Sequence, residues 1–278
     1  MHFITKKMRK FQIFLISGLL FFSTCAGPNR EELANSRLQE IISLSETGNY
    51  NLAKLKLDSL ILYFSDQKEQ VEEAKNILKR LDILEQERNL QFLDSMLIVQ
   101  EAMLEPLMKN FIVSDEYGAE KLLIHRRQRP ENSFNRTFIR AFLYESGRFF
   151  ISSRYHGERW IYHQQIRVYN NEQSVLSEIV PEDGHNNRRF EDQGLKWETV
   201  NYRDGKDNGI IDYIATYWKE PLKVQFMGKG NEYIVMEQFD KEAIRDGYEI
   251  SFVLTEIDRI KEEKRKVEKT LQRLRKNP

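Results

Sequence analysis

Two heptad rows bracket this chain and limit what it can fold into. Leu90, Leu93, Leu97, Leu104, Leu107 and Phe111 fall on a 3-4-7-3-4 spacing, with Gln100 at the odd position. Ile257, Ile260, Lys264, Val267, Leu271 and Leu274 step 3-4-3-4-3 among Lys, Arg and Glu. A helix that polar does not hold its shape alone, and its narrow apolar seam has to be buried against another helix. The cheapest partner is the same chain. Residues 90–111 against 257–274 would form an antiparallel coiled-coil stalk with the intervening segment inserted at its tip. Intrachain pairing avoids the entropy of association. A parallel homodimer through one or both seams is the alternative, and the oligomeric state is left open.

The segments around the seams differ in kind. Residues 33–111 read as helical: Gly48 is the only glycine there, and no proline precedes Pro106. Leu38, Ile41, Ile42 and Leu44 give one amphipathic stripe, and Ala53, Leu57, Leu60 and Ile61 a second. Gly48-Asn49-Tyr50 between them is a turn signal. A third helix is expected from about Gln67 to Phe111. Residues 112–255 read as β-rich. Phe138–Tyr144 and Phe149–Tyr155 flank Glu145-Ser146-Gly147-Arg148, as two hairpin strands flank a turn. Further strands are expected at Trp160–Tyr169, Val175–Val180, Leu195–Tyr202, Leu222–Phe226, Glu232–Gln238 and Tyr248–Leu254. Residues 181–194 read as a long surface loop, Phe239–Asp246 as a short helix, and Gly209–Trp218 fits either helix or strand. The expected fold class is α+β: a helical hairpin and long helix, the stalk, and an inserted antiparallel β domain closing as a sandwich or small barrel. Residues 256–278 complete it as a C-terminal coiled-coil helix.

The first residues read as an address. Lys6, Lys7, Arg9 and Lys10 precede an apolar run, Ile13 to Phe22, and the only cysteine, Cys25, follows. Residues 1–24 therefore read as an export signal, and the run is too short for an ordinary membrane span. Phe22-Ser23-Thr24-Cys25 resembles the lipobox of bacterial lipoproteins. Phe22 stands where that family usually has leucine, and Thr24 where it has glycine or alanine. The resemblance implies lipid attachment at Cys25, a tether over 25–32, and a place in the bacterial envelope. Ala26 in place of aspartate would favour the outer membrane, facing the periplasm or the cell surface. Cleavage after Ala26 with release of a soluble protein is the alternative, and an uncleaved N-terminal anchor is a third reading.

Two further resemblances concern the mature chain. Gly48-Asn49-Tyr50-Asn51-Leu52-Ala53 resembles the turn of a tetratricopeptide repeat over roughly one repeat, residues 33–66, where stacked repeats need about three units. A plain helical hairpin fits it as well. Glu87-Arg88-Asn89-Leu90-Gln91-Phe92-Leu93-Asp94-Ser95 loosely matches a phrase of uncharacterised lipoproteins of the Bacteroidetes type. That resemblance implies location and architecture and carries no known reaction.

Charge and side-chain inventory narrow the chemistry. Without the four basic residues of 1–24, 39 basic groups face 43 acidic ones. A nucleic-acid binder would show a basic excess, so no nucleic-acid partner is expected. With Cys25 lipidated, no thiol remains for disulfides, zinc or catalysis. His125, His156, His163 and His185 show no zinc-motif spacing, so no metal or other cofactor is expected. Asp204-Gly205-Lys206-Asp207-Asn208-Gly209 fails as a calcium loop, because Lys206 holds its third position and Ala215 its twelfth. A turn explains it better. No nucleophile elbow, P-loop or dinucleotide fingerprint occurs, and no catalytic residue is named. The surface most suited to a ligand combines Glu182, Asp183 and His185 of the polar segment with Trp160 and Tyr162 nearby. Aromatics in strands are most often core, and the carboxylates could equally be solvated beside Arg188 and Arg189. The expected role is a non-catalytic envelope scaffold or adaptor, bound to the membrane by its lipid and to a protein partner by its β domain. The alternative is a glycan- or peptide-binding or hydrolysing surface protein.

Overall fold

A computed structural model of the protein describes residues 29–114 and 120–276. Cys25 and the leader lie outside them. The fold is α+β, and its contacts divide the chain into two compact units. Among the described residues, one comprises 29–87 together with 271–276, and the other those of 88–270.

The first unit is helical. Helix α1 spans Arg30–Glu46, α2 Tyr50–Tyr63, and α3 begins at Lys68 and ends at Leu107. A capping box starts α1: Asn29 accepts the Glu31 N–H, and Glu32 reaches back to the Asn29 N–H at 3.2 Å. Gly48 ends it in the left-handed region at φ +80, where the Asn49 N–H closes onto Leu44 O at 2.9 Å. The turn read from Gly48-Asn49-Tyr50 is thus present. Leu38, Ile41, Ala53, Leu57, Leu60, Ala74, Ile77 and Leu81 form the core. The fully buried alanines of α2 and α3 let backbones approach closely.

The second unit holds two antiparallel sheets. The six-stranded one runs β1-β2-β3-β4-β8-β7, and the four-stranded one β10-β9-β5-β6. Strands β1 (Phe111–Ser114), β2 (Leu122–His125), β3 (Phe138–Tyr144), β4 (Phe149–Gly157), β7 (Asn187–Asp192) and β8 (Leu195–Tyr202) build the first. Strands β5 (Gln165–Tyr169), β6 (Ser174–Leu176), β9 (Lys223–Met227) and β10 (Asn231–Val235) build the second. Ile139, Ile151, Val200 and Tyr202 of one sheet share a core with Ile166, Val168, Val224 and Phe226 of the other. Helix α5 (Ile210–Thr216) closes it with Ile210 and Ile214. The short helix α4 (Pro130–Ser133) lies between β2 and β3. Pairing of β2 with β3 covers two residue pairs only. Beyond them the buried Gln128 amide substitutes for a strand: it donates to Ile139 O at 3.0 Å and accepts from the Ala141 N–H at 2.9 Å. It also donates to Asp240 at 2.9 Å, beside Arg136. Burial raises the Asp240 pKa more than Gln128 and Arg136 lower it.

The last helix corrects the sequence reading. Residues 248–254 are not a strand: α6 runs unbroken from Gln238 to Lys276. Ala243, Ile244, Ile250, Val253, Ile257 and Ile260 are all buried. Within 248–254, Ile250 and Val253 are buried and begin the 3-4 row that continues through Ile257 and Ile260, whereas Tyr248 and Phe252 of the apparent alternation are exposed. Leu104 and Leu107 of α3 share an apolar cluster with Ile250 and Leu254, and Lys264 pairs with Asp94. Within the helical unit, Arg275 meets Glu87 at 2.7 Å. In the second unit the α3–α6 contacts run in the antiparallel sense within one chain. Other readings change too: the third helix ends at Leu107 and Phe111 opens β1, and the strand expected over 175–180 ends at Leu176. Residues 160–164 are irregular and not strand, and 187–192 form β7 where a loop is expected. Gln193 and Gly194, at φ +48 and +82, make the tight turn into β8.

Candidate functional site

The residues singled out from sequence are partly gathered. Trp160 and Tyr162 have ring centroids 6.0 Å apart. Arg189 and Lys229 lie over the Tyr162 ring, at 5.1 and 4.7 Å, and Lys196 over Trp160 at 5.4 Å. Glu182 pairs with Arg189, and Glu191 with Lys196. Glu182 therefore joins the two aromatics through Arg189. The cations already stacked on these rings compete with any sugar or peptide for them. Asp183 is turned onto its own loop. It accepts the N–H groups of His185, Asn186 and Asn187 at 2.9, 2.7 and 2.9 Å, which hold its carboxyl well below the usual range. Such a carboxylate organises a turn and is a poor proton donor. His185 is exposed and gives that turn its backbone N–H.

Beneath this surface lies a polar chain that sequence reasoning did not find. Strand β8 points Glu198, Val200 and Tyr202 to one side. The register sets Tyr155, Ser153 and Ile151 of β4 opposite them, and Arg189 of β7 beside Glu198. Ser153 Oγ is 2.8 Å from His163 Nε2, and His163 Nδ1 is 2.8 Å from Glu198 Oε2. Glu198 also accepts the N–H groups of Ile161, Tyr162 and His163 at 2.8, 2.8 and 2.7 Å. Tyr162 adopts φ +54 to make this wrap. Burial would raise Glu198, but His163 and the wrapping N–H groups hold it below its ordinary value. Burial lowers His163, outweighing Glu198, so the ring is neutral. An ionised Glu198 accepts the hydrogen bond from Nδ1–H, leaving Nε2 to accept from the Ser153 hydroxyl. Tyr202, its hydroxyl pKa raised by complete burial, lies 3.3 Å from Ser153 Oγ and completes the chain.

The order Ser–His–Glu is that of a hydrolytic triad, but the surroundings are not. All three residues are 0% exposed. The backbone N–H groups that could have faced a substrate oxyanion are spent on Glu198. Ser153 sits inside a paired strand and not on a turn. The chain fastens the irregular 160–164 segment to the sheet. Asn187 adds to it, donating to Val180 O at 2.7 Å and His163 O at 3.3 Å. No sequence spacing marks it, because its members come from β4, β8 and the segment between β4 and β5.

The other face of the six-stranded sheet carries an open aromatic shelf. Trp197 stacks on Phe190 of β7 at 5.2 Å and 4°, and lies 4.7 Å from His156 of β4. Phe134 joins at 5.6 Å, its carbonyl accepting Trp197 Nε1–H at 3.4 Å. Phe134 is 60% and Phe190 45% exposed. Strand β7 is an edge strand, with Arg188 exposed on the shelf's side. A loop reading of 181–194 hides this shelf. The signal that could have found it is Gln193-Gly194 as a hairpin turn, which makes Phe190 and Trp197 cross-strand neighbours.

Among the described residues no three His, Cys, Asp or Glu side chains converge as a metal site would. No described helix is long and apolar enough to cross a membrane. Asp207 of the failed calcium loop accepts the Ile211 N–H at 3.2 Å at the start of α5. Comparison with protein families, curated proteins and solved structures finds no match in any of the three.

Proposed function

We propose that the protein is a non-catalytic, lipid-anchored envelope scaffold or adaptor, held by Cys25, whose β unit binds an extended segment of another envelope protein. The observation that carries the reading is the shelf of Phe134, Phe190 and Trp197 beside the edge strand β7. An edge strand offers unpaired backbone groups to an added strand, and exposed aromatics beside it give that strand side-chain contacts. Arg188 favours a segment with a carboxylate at the matching position. The sealed state of Ser153, His163 and Glu198 supports binding over hydrolysis. The cations over Trp160 and Tyr162 weigh against sugar stacking there. In this reading α3 and α6 form the coiled-coil stalk that spaces the β unit from its anchor, with the outer membrane its place.

The test is crosslinking and co-purification of the full-length protein from its native membranes, beside Cys25→Ala and Phe190→Asp variants. The reading expects a defined protein partner, lost with Phe190→Asp while the protein stays membrane-bound, and a protein released from membranes by Cys25→Ala. A partner set indifferent to Phe190→Asp would overturn the shelf as its site. Membrane retention of Cys25→Ala would overturn the anchor.

A further inference from the structure

Helix α3 carries a second apolar row that its own unit does not cover. Phe92, Met96, Val99 and Met103 step 4-3-4, beside the seam of Leu90, Leu93, Leu97, Leu104 and Leu107. Phe92, Ile98, Val99 and Met103 are each at least half exposed. Ser95 and Ala102, small and exposed, lie along the flank away from the seam, with Ile98 further round on the same side. Between Gln91 and Leu104 the only charged residues are Asp94, paired with Lys264, and Glu101. The contrast with α6 is direct. Between 258 and 266 its exposed residues, Asp258, Arg259, Lys261, Glu262, Arg265 and Lys266, are all charged. In a chain with 31% charged residues, a helical face left apolar over three turns is not an ordinary solvated face.

We infer that this face is the contact between two copies of the chain, packed antiparallel about a two-fold axis between Leu97 and Ile98. The spacing carries the choice of occupant. A 4-3-4 row reads the same in both directions, so a reversed copy sets Phe92 against Met103 and Met96 against Val99, twice over. An isologous contact requires this self-complementarity, whereas an unrelated partner does not. Small Ser95 and Ala102 on the flank permit close approach. The row removes on the order of 400 Å² per copy from water, about half of what a standard stable interface covers on each side. The pair is accordingly weak in free solution, and its test is made at high protein concentration.

The test uses the mature chain with Cys25→Ser, followed by sedimentation equilibrium from tens of micromolar to about a millimolar. A reversible monomer–dimer equilibrium is expected, weakened at least tenfold by Val99→Glu. Tryptophan fluorescence, which reports the second unit, shows that the variant is folded. Orientation is read by mixing Phe92→Cys chains with Met103→Cys chains under mild oxidation. The mixture should crosslink more than either variant alone. A monomer throughout the range, a dimer untouched by Val99→Glu, or preferential Phe92–Phe92 crosslinking would each overturn the inference. The last outcome would instead indicate a parallel pair. None of these outcomes depends on the partner site at β7.

Discussion

Replacing Glu198 by alanine should unfold the second unit far more readily while leaving the surface unchanged. The carboxylate accepts four hydrogen bonds, from the N–H groups of Ile161, Tyr162 and His163 and from His163 Nδ1. Alanine leaves four donors facing a cavity with no acceptor. Each orphaned buried donor costs about 1–3 kcal/mol, but the losses do not add, because the segment relaxes and His163 can change tautomer. Breaking a buried charged cluster on one side typically costs about 3–5 kcal/mol, and that is the expected loss. The left-handed Tyr162 has no other carboxylate to hold its N–H, so the strain there adds to the loss. Urea unfolding followed by tryptophan fluorescence suits the measurement, because Trp160, Trp197 and Trp218 all lie in the second unit. With a slope of about 2–3 kcal/mol/M, the midpoint should fall by about 1–2 M. Glu198→Gln keeps an acceptor for two N–H groups and should fall between the two. A loss below about 1 kcal/mol for Glu198→Ala would refute the claim that this carboxylate holds the 160–164 segment.

Stability should also fall with acid in a defined order. The His163 and His125 pKa values are lowered by burial, so the unfolded chain binds these protons first. Their contribution is complete above about pH 6.5 and declines below it, by at most about 1.4 kcal/mol per pH unit for each group. Glu198, also lowered, is lost only as pH falls below its unfolded value toward its folded one. Asp240, raised by burial, has the opposite sign. Midpoints measured from pH 7.5 to 5 should therefore flatten in His163→Asn, and an unchanged slope would contradict a neutral buried His163. Gly228→Ala drives a methyl into the backbone of Tyr162 and Ile161 and should cost about 1–3 kcal/mol by the same urea assay. Gln128→Leu, similar in volume, orphans the Ala141 N–H and removes a donor from Asp240. It should cost about 2–4 kcal/mol, and a neutral result would mean that water reaches this edge.

Much of the architecture is legible because it rests on local signals. The α1–α2 turn needs a residue at φ > 0, and Gly48 supplies it. The β3–β4 hairpin is announced by Gly147 at φ +83, and the β9–β10 hairpin by Gly228–Asn231 between alternating apolar residues. Failures occur where one pattern serves two periods. Tyr248–Leu254 contains apolar residues at both period-2 and 3-4 positions, and only the continuation to Ile257 and Ile260 decides for helix. At β7 the outward side is Arg188, Phe190 and Asp192 and the inward side Asn187, Arg189 and Glu191, so polarity does not alternate. A strand whose inward side faces a buried polar chain carries no hydrophobic alternation to read.

The same cause separates the legible from the illegible part of the site. Trp160, Tyr162 and Glu182 stand out as residue types and do meet, through Arg189. Their chemistry is decided by what lies across from them, and that is set by register. A one-residue slip of β8 would send Glu198 to the shelf side and Trp197 into the core. The turn at Gln193-Gly194 fixes that register, since both residues take positive φ and so admit a two-residue loop only. Gly194→Val puts a β-branched side chain where φ is +82. It should loosen the β7–β8 hairpin and weaken the shelf and the Glu198 anchor together, since both depend on one register. Loss of partner capture by the Phe190 shelf with no change in the urea midpoint would show that they are separable. A joint loss would show that the turn holds the buried anchor and the exposed surface in one alignment.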